Sequence, residues 1–132
     1  MSFVVDASVV AAWFLPDEAN ELAEKALQRL ESEDAFAPDL LAHELRNILV
    51  MAERRKRIEQ EDVLSILLRF NSLPITLVSG DDAVSIVKLA RQHALSAYDA
   101  AYLALSVGRS MPLATMDRKL LAAAKAENVT FI

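Results

Sequence analysis

Phe3-Val4-Val5-Asp6-Ala7-Ser8 constrains this chain more than any other stretch. It reads as a short apolar strand that stops on a carboxylate. A small residue and a hydroxyl follow, with an apolar helix behind them. A strand that hands over directly to a helix opens a parallel crossover unit. In open α/β sheets, ligands gather outside the carboxyl ends of the strands. Position alone therefore makes Asp6 a candidate site residue.

The rest of the chain repeats the alternation. Ser8 to Leu15 is expected as a short helix, apolar almost all round, with Ser8 as its N-cap and Pro16 as its stop. Glu18 to Glu31 carries Leu22, Ala23, Ala26, Leu27 and Leu30 at helical spacing. Phe36-Ala37-Pro38 is a short strand. Leu40 to Arg55 is a long helix with Leu41, Leu45, Ile48, Leu49 and Ala52 on one face, and Glu59 to Asn71 is another. Ile75-Thr76-Leu77-Val78 is a β-branched strand. Ser79 and Asp82 have the spacing of a capping box ahead of the next helix. Ser96 to Ser106 is a helix, Pro112 to Thr115 a strand, Asp117 to Ala126 a helix, and Val129 to Ile132 a closing strand. Strands separated by helices imply parallel crossovers, and so an α/β fold of the three-layer α/β/α sandwich class with a short parallel sheet. The 132 residues suit a single domain, 1–132, able to bury a sufficient core unaided.

Composition narrows the function classes. There is no cysteine, which excludes disulfide frameworks, thiolate metal sites and cysteine nucleophiles. It also fits a reducing, cytoplasmic setting. No apolar run approaches the ~20 residues of a membrane span, and the N-terminus lacks the basic flank of a signal peptide. At 54% hydrophobic, the chain exceeds the usual ~45–50%. A homodimer or an obligate partner is the simplest use for the surplus. The net charge of −5 argues against a protein that binds nucleic acid chiefly through phosphates. It leaves room for an enzyme that meets nucleic acid through metal ions and a local basic patch. With two glycines, Gly80 and Gly108, there is no phosphate-cradling loop.

Four acidic residues stand where strands leave the sheet or helices begin. Asp6 ends the first strand. Glu44 lies one turn into the long helix. Asp99 follows Ser96 by three residues, which is also the spacing of a capping box. Asp117 follows the strand Leu113-Ala114-Thr115, where helix capping is its simpler role. Glu44 could equally pair with His43 or Arg46. Taken together, all four point to one sheet edge. Carboxylates ~4 Å apart repel by about 1–4 kcal/mol per pair, so such a cluster wants a counter-charge. Hard divalent cations take oxygen donors, and Mg²⁺ or Mn²⁺ fits a set without thiolates or clustered imidazoles.

These stretches resemble the PIN-domain ribonucleases, and in particular the VapC-type toxins of type II toxin–antitoxin modules. The resemblance runs through Val4-Val5-Asp6-Ala7-Ser8, then Pro38 to Asn47 around Glu44. It continues in Leu95-Ser96-Ala97-Tyr98-Asp99-Ala100-Ala101-Tyr102 and in Leu113-Ala114-Thr115-Met116-Asp117-Arg118. It implies that Asp6, Glu44, Asp99 and Asp117 hold Mg²⁺ or Mn²⁺ and that a metal-activated water cleaves an RNA phosphodiester. Ser8 and Thr115 would sit nearby, orienting a carboxylate or a water, and Asn47, one helical turn from Glu44, would support the site. The expected partners are an RNA substrate, a second copy and a cognate antitoxin, with DNA met only through the antitoxin.

Two alternatives stand beside this. In a haloacid-dehalogenase-like phosphohydrolase Asp6 would be the nucleophile, but that family wants a second Asp where this chain has Ser8. The other is a non-catalytic interaction module on the same fold. Arg54-Arg55-Lys56-Arg57 either meets RNA backbone or an acidic partner, or only complements a helix dipole, the commoner role of basic residues at a helix C-terminus. Arg118 and Lys119 begin a helix, where the dipole disfavours cations, so a phosphate contact suits them better. Trp13 and Phe14 belong either to the core or to a partner surface. His43 and His93 are isolated and carry no expected chemistry.

Overall fold

A computed structural model describes residues 1–80 and 82–131. Four strands form one parallel sheet: β1 (Phe3–Val5), β2 (Ala35–Pro38), β3 (Ile75–Val78) and β4 (Leu113–Ala114). The helices are α1 (Ala7–Phe14), α2 (Glu21–Arg29), α3 (Leu40–Arg54), α4 (Gln60–Asn71), α5 (Ala83–His93), α6 (Ala97–Arg109) and α7 (Arg118–Ala126). A 3-10 turn at Pro16–Glu18 separates α1 from α2. The mixed α/β class, with helices flanking a short parallel sheet, is as expected. Phe3, Val4 and Val5 are wholly buried, as are Val9 and Val10 at the start of α1. The continuous apolar run at the N-terminus therefore reflects a central strand covered on both faces.

The spatial order is β3-β2-β1-β4. The chain moves outward from β1 through β2 to β3, then returns to place β4 on the other side of β1. The order thus reverses between β1 and β4, and this is where an open parallel sheet leaves a crevice at its carboxyl edge. Val5 pairs with Ala114, and the amide of Asp6 donates to the carbonyl of Ala114 at 3.2 Å. The residues just past these two strands, Asp6 and Thr115, are neighbours as a result.

Three local expectations are corrected. The N-cap of α1 is Asp6, not Ser8: its side chain accepts from the Val9 amide. Strand and helix meet with no linker, so the residue that ends one also caps the other. Asp82 itself caps α5, accepting from the Ser85 amide at 3.2 Å, so the helix starts one capping frame later than a Ser79 cap would place it. Val129 to Phe131 does not form a strand. Thr130 makes a single parallel bridge to Leu113, and Phe131 instead packs on Phe3 with ring centroids 5.1 Å apart. Ile132 lies outside the described residues. Trp13 and Phe14 belong to the periphery of the core. The Trp13 indole donates to the Ala23 carbonyl at 2.7 Å, and the Arg69 guanidinium lies 5.2 Å from the Phe14 ring centre.

Candidate active site

Asp6 is 4% exposed and accepts hydrogen bonds on both carboxylate oxygens. Oδ1 takes the Ser8 hydroxyl at 2.6 Å and the Val9 amide at 3.1 Å. Oδ2 takes the Thr115 hydroxyl at 2.5 Å, across 109 residues of sequence. The two hydroxyls are themselves fixed. Ser8 Oγ accepts from the Met116 amide at 3.0 Å, and Thr115 Oγ1 accepts from the Asp117 amide at 3.1 Å. The loop after β4 is therefore sewn to the end of β1 by two hydroxyls that meet on one carboxylate.

Asp117 caps α7, with Oδ1 accepting from the Leu120 amide at 2.9 Å, and is exposed. That is the capping role its position allowed; it leaves the second oxygen free. Ser96 caps α6 by accepting from the Asp99 amide at 3.1 Å, so Asp99 contributes its backbone to the cap. Glu44 pairs with neither His43 nor Arg46; the Tyr102 phenol donates to its Oε1 at 2.5 Å. The Arg46 guanidinium instead lies 3.5 Å from His43 Nδ1. Tyr102 is 1% exposed and is the one supporting residue missed in the sequence. It stands three residues after Asp99, on the same face of α6, and that spacing was the available signal. Asn47 is exposed on α3 and lines a cleft together with Ser8.

The four carboxylates are electrostatic neighbours with Asp99 at the centre. Burial pushes the Asp6 carboxyl up to about 6; the Ser8, Thr115 and Val9 hydrogen bonds oppose this, and the charge of Asp99 adds to it. Burial also raises Glu44, with Tyr102 lowering it and Asp99 raising it. Asp99 is raised by burial and then by the charge of Asp117. Among the described residues, none of the four meets a lysine or arginine. Their hydrogen-bond donors are hydroxyls and backbone amides only. Such a set, all oxygen and short of positive charge, fits a hard divalent cation. Among the described residues, no three histidines or carboxylates converge closely enough to form a ready-made cage. The cluster is open rather than preassembled.

The match to the PIN domain model spans residues 3–126, nearly the whole chain. The chain belongs to the PIN domain family. It is 32% identical over 124 residues to Ribonuclease VapC3 of Pyrobaculum aerophilum, covering 91% of this chain and 92% of that protein. Its fold is similar to the crystal structure of PAE2754 from Pyrobaculum aerophilum, with a TM-score of 0.67 and 21% identity, over 93% of this chain and 79% of that one. It is likewise similar to the crystal structure of FitAcB from Neisseria gonorrhoeae, with a TM-score of 0.64 and 19% identity, over 95% and 94%. Within this PIN domain, the four acidic residues singled out in the sequence lie around the β1–β4 crevice. No helix among the described residues is long and apolar enough to cross a membrane.

Proposed function

We propose that this PIN domain is a divalent-metal-dependent endoribonuclease and the toxin of a type II toxin–antitoxin pair, acting in the cytoplasm. The observation that carries the reading is the locked carboxylate of Asp6, held by Ser8 and Thr115 at the switch point beside Glu44, Asp99 and Asp117. Whole-length likeness to a ribonuclease supports RNA as the substrate.

Asp6, Glu44, Asp99 and Asp117 would hold Mg²⁺ or Mn²⁺. Such an ion, when bound, supplies an acidified water and stabilises charge on the scissile phosphodiester. The chain's own residues do the positioning. Ser8 and Thr115 fix both oxygens of Asp6, so its orientation costs no reorganisation during the reaction. Tyr102 fixes Glu44 in the same way. Asp99, half-exposed between Asp6, Glu44 and Asp117, links the buried and solvent-facing parts of the set.

The phosphohydrolase alternative needs an Asp6 oxygen open for in-line attack. Both oxygens already accept hydrogen bonds, and the side chain is buried. A single hydrogen bond on Oδ2 leaves a lone pair for a cation. Ser8 stands where the phosphohydrolase family wants its second Asp. Together these favour a ligand over a nucleophile. A second copy and an antitoxin would cover exposed apolar side chains such as Leu64 and Leu68, each 63% exposed on α4. The net charge of −5 is consistent with leaving DNA contact to the antitoxin. The test is expression with and without the neighbouring gene, followed by mapping of RNA 5′ ends. New ends that appear only without the partner support the reading; no new ends with a folded protein overturn it.

A further inference from the structure

The basic run after α3 is split by the fold into residues with different duties. Arg57 is held by acids: its guanidinium donates to Asp17 at 3.0 and 2.7 Å and to Glu18 at 2.7 Å. Arg54 lies 3.9 Å from the Met51 sulfur. Lys56 takes the left-handed turn conformation, φ 62°, that ends the segment. Arg55 is different. It is exposed, and it lines a cleft of about 320 Å³ whose wall includes Ser8, Asn47 and Met51. Ser8 is also the residue that donates to Asp6, so the wall of this cleft borders the carboxylate site.

Helical geometry makes the path continuous. Glu44, Asn47, Met51 and Arg55 stand at i, i+3, i+7 and i+11, a single stripe along α3. From Glu44 to Arg55 the helix rises about 16 Å. Glu18 and Arg57 also line the cleft, but Arg57 is shared between Glu18 and Asp17, a triad of net negative charge. Among the described residues, Arg55 is the cation of this cleft that stands outside an ion pair. A polyanionic substrate approaching four carboxylates on a protein of charge −5 is repelled. At ~0.15 M salt that field is screened beyond ~8 Å, so a cation within the groove decides whether the strand stays.

We propose that this stripe of α3 is the strand-binding track of the enzyme, with Asn47 beside the reacting phosphate and Arg55 ion-paired to a backbone phosphate of single-stranded RNA a few nucleotides away. The proposal rests on the endoribonuclease reading and assigns the direction in which the substrate leaves the site. Positively charged grooves that follow the backbone are the usual way single strands are held.

The test separates the track from the chemistry. Binding of a mixed-sequence single-stranded RNA to the Asp6→Asn protein is followed by fluorescence anisotropy from 50 to 300 mM KCl, without divalent ions. Cleavage of the same RNA by the protein with intact acids is measured with Mg²⁺. Arg55→Ala is expected to weaken binding three- to tenfold at 100 mM KCl. It should also flatten the slope of log affinity against log salt by about 0.7, the loss of one phosphate contact to a single strand. In the cleaving protein it raises KM and leaves kcat unchanged. Arg55→Lys restores the slope, and Lys56→Ala, an equal charge change outside the cleft, leaves it alone. An unchanged slope in Arg55→Ala, or an equal change in Lys56→Ala, overturns the track. A changed slope with no cleavage by the protein with intact acids keeps the track and overturns the nuclease reading on which its orientation rests.

Discussion

Tyr102 donates its phenolic hydrogen to Glu44 at 2.5 Å, joining the middle of α6 to the first turns of α3 across 58 residues. The bond couples two of the four acids, because Tyr102 rides one turn behind Asp99 on the same helix. Tyr102→Phe keeps the buried ring and removes only the donor. A hydrogen bond to a charged group contributes ~1.5–3 kcal/mol, and the partial exposure of Glu44 discounts that to about 1 kcal/mol. Melting temperature should drop by a few degrees. The bond lowers the Glu44 pKa, so removing it moves the acid limb of the pH–rate profile to higher pH. A profile that does not move shows the phenol to be structural only.

Thr115→Val tests the corresponding support at Asp6. Valine keeps the shape while deleting the donor to Asp6 and the acceptor for the Asp117 amide. Burial already outweighs the hydrogen bonds at Asp6, so its pKa rises above about 6 when one of them goes. Cleavage should fall about tenfold or more at pH 6.5 and recover in part at pH 8.5, where the carboxylate is again ionised. The pH–rate profile of the variant measures this directly.

Much of this site was legible in the sequence because its acids sit at element boundaries, and boundaries follow from local pattern. Asp6, Glu44, Asp99 and Asp117 were singled out that way as candidates. What sequence could not supply was the pairing across the sheet. Ser8 read as a cap because a hydroxyl precedes an apolar helix; only the register of β1 against β4 shows its hydroxyl spent on Asp6 and the cap passed to Asp6 itself. Tyr102 read as one more residue of an alanine-rich helix because its partner is distant in sequence. Val129 to Phe131 has strand composition, yet Phe131 packs on Phe3 under the Arg29 guanidinium, 4.6 Å away, so packing overrides propensity.

Asp6 should also govern stability in the mildly acidic range. Its folded pKa of about 6 lies above the 3.8 of the unfolded chain. The folded state therefore binds more protons between those values, and stability falls as pH rises from about 4 to about 6. The metal-free protein should lose urea midpoint over that window, and Asp6→Asn should flatten the loss. Mg²⁺ added at pH 7 should restore it by mass action in the protein with intact acids. An identical pH dependence in Asp6→Asn contradicts the assignment.

Glu33 works in the opposite sense. Arg29 and the N-terminal amine, at 2.8 and 2.9 Å, hold its carboxyl down at about 2, against 4.5 unfolded. That stability is complete above about 4.5 and is lost as pH falls toward 2. Glu33→Gln should lower the melting temperature at pH 6 and leave little difference from the parent near pH 2. Thermal melts at the two values decide it.

The most direct test of the account is RNA cleavage by Asp6→Asn and Asp99→Asn with saturating Mg²⁺, with melting temperature measured on the same samples. Each variant removes one charge from a set whose joint work is worth several kcal/mol of barrier. The account predicts a fall of at least about 100-fold in both, with melting temperatures in the metal-free state no lower than the parent's. Full cleavage by both variants would contradict it.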